Sequence, residues 1–183
     1  MTTTAQDVIG TKLERNFAAL DDNQDGYLDV TTFERLADRY IQAYGLDKND
    51  RRARALHGFC LVYFMELLRH SDAQEDRLTK DQFVASSRLA SVDGSRVNTA
   101  DGAGHVFFDV IDVNGDGEIS RDEFARFLRD VWKSDAPDAM ESFTMLDTDG
   151  DGAISRTEFV RAMREHFLSD DPDAPGSVFF GRV

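Results

Sequence analysis

A twelve-residue pattern occurs twice between Asp112 and Glu158, as DVNGDGEISRDE and DTDGDGAISRTE. Each copy has oxygen-bearing side chains at positions 1, 3 and 5, glycine at 6, an aliphatic residue at 8 and glutamate at 12. A hard divalent cation such as calcium takes about 6–8 oxygen ligands at roughly 2.3–2.6 Å, more than one side chain supplies. A tight loop brings Asp112, Asn114 and Asp116 onto one ion from alternate positions. The carbonyl of Glu118 adds a backbone contact, and Gly117 permits the positive-φ turn that a Cβ penalises. Glu123 closes the far side with both carboxylate oxygens. In the second copy the same roles fall to Asp147, Asp149, Asp151, the Ala153 carbonyl, Gly152 and Glu158. Ser120 and Ser155 stand at position 9, where contact is often through water.

Each copy resembles the calcium loop of an EF-hand at every diagnostic position. One such string alone is readable as an acidic turn. Two complete ones, each entered from an amphipathic helix and each followed by phenylalanine (Phe124, Phe159), argue against that. A third copy begins at Asp21. Asp21, Asn23 and Asp25 fill positions 1, 3 and 5, Gly26 sits at 6, Tyr27 offers its carbonyl at 7 and Asp29 stands at 9. Position 12 is Thr32, one neutral oxygen where glutamate offers two charged ones. Asp29 compensates in part, so the expectation is a site that binds more weakly than the other two. The segment after Ser71 has the outline of a loop without its ligands: Ser71, Ala73 and Glu75 stand at positions 1, 3 and 5, Asp76 replaces the glycine, and Gln82 stands at 12. It is expected to be metal-free.

Loop starts at residues 21, 71, 112 and 147, with Phe33, Phe83, Phe124 and Phe159 one residue past each loop, mark four helix–loop–helix repeats. The expected fold is all-α, four EF-hand units in two packed pairs within one compact globule. The N-terminal pair takes residues 1–91, the C-terminal pair 92–168, and a tail 169–183. Paired loops are expected to meet at position 8, Leu28 facing Leu78 and Ile119 facing Ile154. Apolar spacing predicts helices over 7–20, Thr32–Gly45 with Gly45 as the cap, Asp50–His70, Thr99–Ile111, Arg121–Lys133, Asp138–Leu146 and Thr157–Phe167. Gly102 and Gly104 suggest a loose first turn in the helix before the third loop. Ser91–Asn98 reads as a short boundary between pairs. The tail regains apolar character at Val178, Phe179 and Phe180, and is expected to fold back over a crevice.

Charge narrows the partners. A net charge of −14 and a pI near 4.6 argue against nucleic acid and anionic membrane. Three bound calcium ions would bring the formal charge from −14 to −8, so metal is expected to stabilise the fold. Cys60, the single cysteine, sits in an apolar run and reads as core. Trp132 also reads as core, and His57, His70, His105 and His166 lack metal spacing. No stretch has the ~20 apolar residues of a membrane span, and the N-terminus lacks signal-peptide and myristoylation features. A cytoplasmic monomer is the expectation. No nucleophile elbow, P-loop or zinc-protease motif occurs, so an enzyme is not expected.

Four such units, a silent second hand, an acidic pI and the tail DDPDAPG…FFG together resemble the sarcoplasmic calcium-binding protein family, especially its bacterial, calerythrin-like members. The resemblance implies a compact cytosolic calcium buffer or modulator, with metal in loops 1, 3 and 4. Apart from the resemblance, magnesium stands as the alternative occupant of the loops at rest. Thr32 departs from it, since such families usually carry an acidic residue there. Five methionines against 14 phenylalanines suit a closed core better than an adaptable groove. A switch that exposes a crevice to a protein partner stays open as the alternative, and an apolar small-molecule (luciferin-type) binder stands third.

Overall fold

Reciprocal caps decide where the exiting helices start. The computed structural model describes residues 7–93, 98–134 and 140–179. In it, Asp29, Thr79, Ser120 and Ser155 each accept a hydrogen bond from the backbone N–H three residues on. The side chains of Thr32, Gln82, Glu123 and Glu158 accept in return from the cap residue's own N–H. These are positions 9 and 12 of all four loops. The capping box therefore survives in every unit, including the one that has lost its other ligands.

Eight α-helices follow among the described residues: α1 (Val8–Leu20), α2 (Val30–Tyr44), α3 (Arg51–Arg69), α4 (Lys80–Val92), α5 (Thr99–Ile111), α6 (Arg121–Arg126), α7 (Glu141–Leu146) and α8 (Arg156–Leu168). They form the four expected helix–loop–helix units. Gly45 ends α2 in the left-handed region at φ 62°. Strand β1 (Leu28–Asp29) pairs antiparallel with β2 (Arg77–Leu78), and β3 (Glu118–Ser120) with β4 (Ala153–Ser155). Leu28 faces Leu78 and Ile119 faces Ile154, as the repeat requires, and all four are fully buried.

The two pairs share one apolar core. Tyr40 of α2 stacks on Phe107 of α5 at 4.9 Å between ring centroids and 8° between planes. Phe59 of α3 meets Phe107 edge-on, and Tyr63 meets Phe167 of α8 in the same way. Such aromatic pairs add about 0.5–1.5 kcal/mol each beyond the area they bury. Cys60 lies in this core, and burial pushes its thiol up to about 12. His166 is buried too, with Nε2 2.9 Å from the Asn16 amide nitrogen.

Two helix expectations need correction. The helix over 121–133 is not uniform: α6 gives way to a π-helical turn at Phe127–Val131, and Lys133 has a φ of 51°. The wider turn places Phe127, Leu128 and Val131 together in the core, with Trp132 half-buried against Phe127. Nor do the glycines of α5 loosen its first turn, which Asn98 caps through the Asp101 N–H. Gly104 serves packing instead, because a Cβ there would lie 3.0 Å from the Cα of Val160 on α8.

The expected boundary at 91–98 and the helix start at Asp138 fall partly on residues 94–97 and 135–139, outside the described residues. So do the N-terminal residues 1–6 and Phe180–Val183. Val178 and Phe179 are buried, and the Phe179 ring meets Phe124, Phe127 and Phe159. No described helix is long and apolar enough to cross a membrane.

Candidate metal centre

Loop 4 has the most convergent donor set. Asp147, Asp149 and Asp151 each bring one carboxylate oxygen to within 4.8 Å of the others. Oxygens that share a calcium ion at about 2.3–2.6 Å lie no more than about 5 Å apart, so an ion fits between these three. The Asp147 carboxylate is held open by N–H donors from Gly150 (2.9 Å), Asp151 (3.1 Å) and Gly152 (3.0 Å). Gly150 and Gly152 have φ of 74° and 96°, which turns those amides inward.

Glu158 spans the loop. Its Oε1 accepts from the N–H and hydroxyl of Thr148, at 2.8 and 2.7 Å. Its Oε2 accepts from the N–H and hydroxyl of Ser155, at 2.9 and 2.8 Å. Burial opposes ionisation of this carboxyl, but the hydrogen bonds from Thr148 and Ser155 outweigh it and hold the pKa at about 2. The group is thus a fixed anion.

Loop 3 repeats the arrangement. Asp112 accepts from Gly115 (2.8 Å) and Gly117 (3.0 Å), and Glu123 accepts from Val113 (2.9 Å) and Ser120 (2.9 Å). Asn114 donates to Asp116 at 2.7 Å, so its amide tempers the crowding of two carboxylates. Glu118 pairs with Ser155 across the bridge and its side chain is exposed, leaving its carbonyl as the backbone donor of the motif.

Loop 1 keeps half of this. Asp21 accepts from Asp25 and Gly26, both at 3.1 Å, and Asn23 donates to Asp25 at 2.8 Å. At position 12, Thr32 is buried and its hydroxyl lies 3.3 Å from Asp29 Oδ1. Asp29 serves first as the helix cap, and the same Oδ1 also accepts from Thr31 and from the Thr32 N–H. Two guanidinium groups flank this loop. Arg35 donates to Thr32 Oγ1 at 3.3 Å and pairs with Asp22 at 3.1 Å. Arg77 lies 4.2 Å from the centre of the Tyr27 ring and faces Asp29 across the bridge. In loop 2, Gln82 donates to Asp72 at 3.0 Å and no set of carboxylates replaces the missing ligands.

Comparison with known proteins agrees with this geometry. A family profile described as an EF-hand domain pair matches residues 103–164. Residues 103–164 are an EF-hand pair. The search of curated proteins returns no match. Among solved structures, a calcium-binding protein of Streptomyces coelicolor is 26% identical, with a TM-score of 0.71 over 87% of this chain and 97% of that one. The coelenterazine-binding protein of Renilla muelleri is 24% identical, with a TM-score of 0.67 over 96% of each chain. The photoprotein clytin, 19% identical, reaches a TM-score of 0.76 over 98% of this chain and 96% of its own. The last two likenesses speak to the fold alone.

Among the described residues, only loop 4 brings three carboxylates of the expected set together, those of Asp147, Asp149 and Asp151, while in loops 1 and 3 the expected side chains are tied within their own loop by the hydrogen bonds described above. Ser120 and Ser155 have a further role: their hydroxyls bond the glutamate of their own loop, at 2.7 and 2.8 Å, and so work as caps. A serine three residues before a glutamate is the sequence signal for that role. Arg35, Arg77 and Thr148 were not foreseen, since a surface arginine or threonine carries no pattern that ties it to a loop.

Proposed function

We propose that this protein is a cytoplasmic calcium buffer, with tight sites in loops 3 and 4 and a weaker one in loop 1. The observation that carries the buffer reading is the closed core between the two pairs. A sensor opens a methionine-rich groove on binding calcium, whereas a buffer barely opens. Among the described residues, Met163 is buried, Met65 is exposed on α3, and Met140 and Met145 are half-buried around α7, so no face collects all of them. The cavity between the pairs measures about 50 Å³. An engineered apolar cavity that admits benzene has about 150 Å³.

The ranking of sites follows from charge. Loop 1 has lost the paired oxygens of position 12 and faces Arg77 where loop 3 faces Ala153. Magnesium at rest is consistent with a structural relative, berovin, whose three calcium loops bind magnesium ions. A kinship with calerythrin-like sarcoplasmic proteins and a monomeric state belong to the same proposal.

A second reading has one observation in its favour. The cavity is lined by Phe59, Tyr63, Phe107 and Trp132, with Asn16 and His166 as polar groups at its wall. Relatives of this fold include the coelenterazine-binding protein and an okadaic acid binding protein. An apolar ligand would have to expand this cavity, and saturable binding of an apolar molecule by the calcium-free protein would mark this reading.

Calorimetric calcium titration of metal-stripped protein tests the proposal, with and without millimolar magnesium. Two tight sites and one weak one, with little exposure of a hydrophobic dye, are expected. Glu123→Gln and Glu158→Gln should each weaken their own site by at least roughly 10- to 100-fold, the scale on which even supporting groups act. Strong calcium-dependent dye binding would overturn the buffer reading in favour of a switch.

A further inference from the structure

Loop 3 is gripped from outside its own pair. The hydroxyl of Tyr44, the last residue of α2, donates to the backbone carbonyl of Glu123 at 3.1 Å. Arg52, in the first turn of α3, donates to the carbonyl of Asp112 at 3.4 Å. Those carbonyls belong to positions 12 and 1, the two ends of the loop. Both donors sit on one corner of the N-terminal pair, where Gly45 ends α2 and Asp50 caps α3. Loop 4 is held by its own pair instead, through Thr148 on Glu158 and Arg161 on Thr148.

The grip is built to last. Tyr44 is buried, and burial raises its pKa far above the ordinary phenol value, so it stays a neutral donor. Arg126 lies 5.8 Å from the centre of its ring. The Glu123 carbonyl also receives the Phe127 N–H, so Tyr44 fills a second lone pair that α6 alone would leave to water. Arg52 is neutralised by Asp50 at 3.2 Å and brings little net charge toward a bound cation. It meets α5 at its carbonyl-rich end, where a guanidinium is favourable.

We infer that Tyr44 and Arg52 are positioning residues for the loop 3 cation site, supplied by the N-terminal pair. Tyr44 fixes the backbone from which Glu123 extends its carboxylate, and Arg52 fixes the end of α5 from which Asp112 extends. Neither touches the ion. Their contribution is preorganisation, so the free loop spends less on ordering when it binds. Because such coupling is reciprocal, an ion in loop 3 tightens the α2–α3 corner. Helix α2 also carries Thr32 in its first turn, so one rigid element joins position 12 of loop 1 to position 12 of loop 3. This rests on the calcium reading above, but only its site-specific part.

The test isolates each C-terminal site in turn. Tyr44→Phe is placed in a Glu158→Gln background, where loop 3 is the intact site of its pair, and in a Glu123→Gln background, where loop 4 is. Calcium titration should show a loss of about three- to tenfold at loop 3, the range for one net hydrogen bond, and no change at loop 4. Arg52→Gln should act in the same direction. Hydrogen exchange of the unmutated protein supplies a readout independent of affinity: amides of residues 42–54 should exchange more slowly with calcium, and Tyr44→Phe should abolish the difference. Equal losses at both sites, or none at either, would overturn the inference, as would calcium-independent exchange at the corner. Failure of the unmutated protein to bind calcium would instead sink the calcium reading itself.

Discussion

Position 12 carries two tasks in this chain, and the four units separate them. Glu123 and Glu158 both cap a helix and present a charged oxygen pair, whereas Thr32 and Gln82 keep the cap alone. This is why losing the carboxylate in units 1 and 2 leaves the helix start intact. Thr32→Glu should therefore restore the second task without removing the first. Its expected effect is a gain of roughly tenfold or more at loop 1, by the same scale on which metal-site groups act. Calorimetry on the variant would show it; an unchanged weakest site would mean that loop 1 is not organised as an ion site. His166 sets a different residue-scale behaviour. Burial, aided by the nearby Lys12 charge, holds its pKa down at about 3, against 6.5 ordinarily, while the Gly176 carbonyl pulls weakly the other way. Between those values the unfolded chain binds a proton that the folded one refuses. Stability is therefore complete above about pH 6.5 and falls as pH drops toward 3, by up to about 1.4 kcal/mol per pH unit from this group. Thermal midpoints of chelator-treated protein between pH 7 and 5 should fall less steeply in His166→Gln than in the parent. Parallel slopes would rule His166 out as the source.

Elements were read from the sequence with uneven success, for reasons that packing explains. Helices with strong apolar spacing and a polar cap, α2 and α3, lie within two residues of expectation, because spacing and caps are local. The position-8 bridges also followed, since the repeat alone dictates them. The π-turn after Arg126 did not, because the re-phasing answers to the shared core, and Phe127 looks like any helical phenylalanine. Gly104 was misread for the same reason. Its meaning lies in Val160, 56 residues away in sequence. Two glycine substitutions separate local from tertiary causes. Gly58, mid-α3, has nothing within 4 Å of an added Cβ, so Gly58→Ala should gain about 0.5–1 kcal/mol from helix propensity. Gly104→Ala offers the same local gain but forces α5 and α8 apart, at a typical cost of about 1–3 kcal/mol. Urea denaturation of the two variants should give shifts of opposite sign. Two shifts of the same sign would mean that α5 and α8 tolerate the methyl, and that Gly104 is a helix defect after all.

At the scale of the molecule, the ends of the chain close what the four units leave open. Lys12 on α1 is buried and donates to the carbonyls of Glu165 (3.0 Å) and Ser169 (2.7 Å) and to the Ser177 hydroxyl (3.1 Å). It thus caps the end of α8 and holds the tail in one contact, although burial lowers its pKa to about 8. Phe179 then completes a ring cluster with Phe124 and Phe159, the residues that follow loops 3 and 4. None of these tail contacts was legible beyond the bare fact of apolar residues after two prolines, because no spacing rule connects residue 12 to residue 177. Gly176 is the joint on which the tail turns. A methyl group there would run into the Ala162 carbonyl and the Glu165 Cβ, backbone and side chain of α8 that cannot yield without moving the helix. Gly176→Ala should accordingly lift the tail from α8 at a cost of about 1–3 kcal/mol. For a chain of this length that is a fall of roughly 2–12 °C in thermal midpoint. Phe179 touches Phe127, and Phe127 touches Trp132, the single tryptophan, so its emission should move to the red in the same variant. A lowered midpoint with unchanged emission would confine the damage to α8. An unchanged midpoint would mean that the tail contributes nothing to holding the two pairs together.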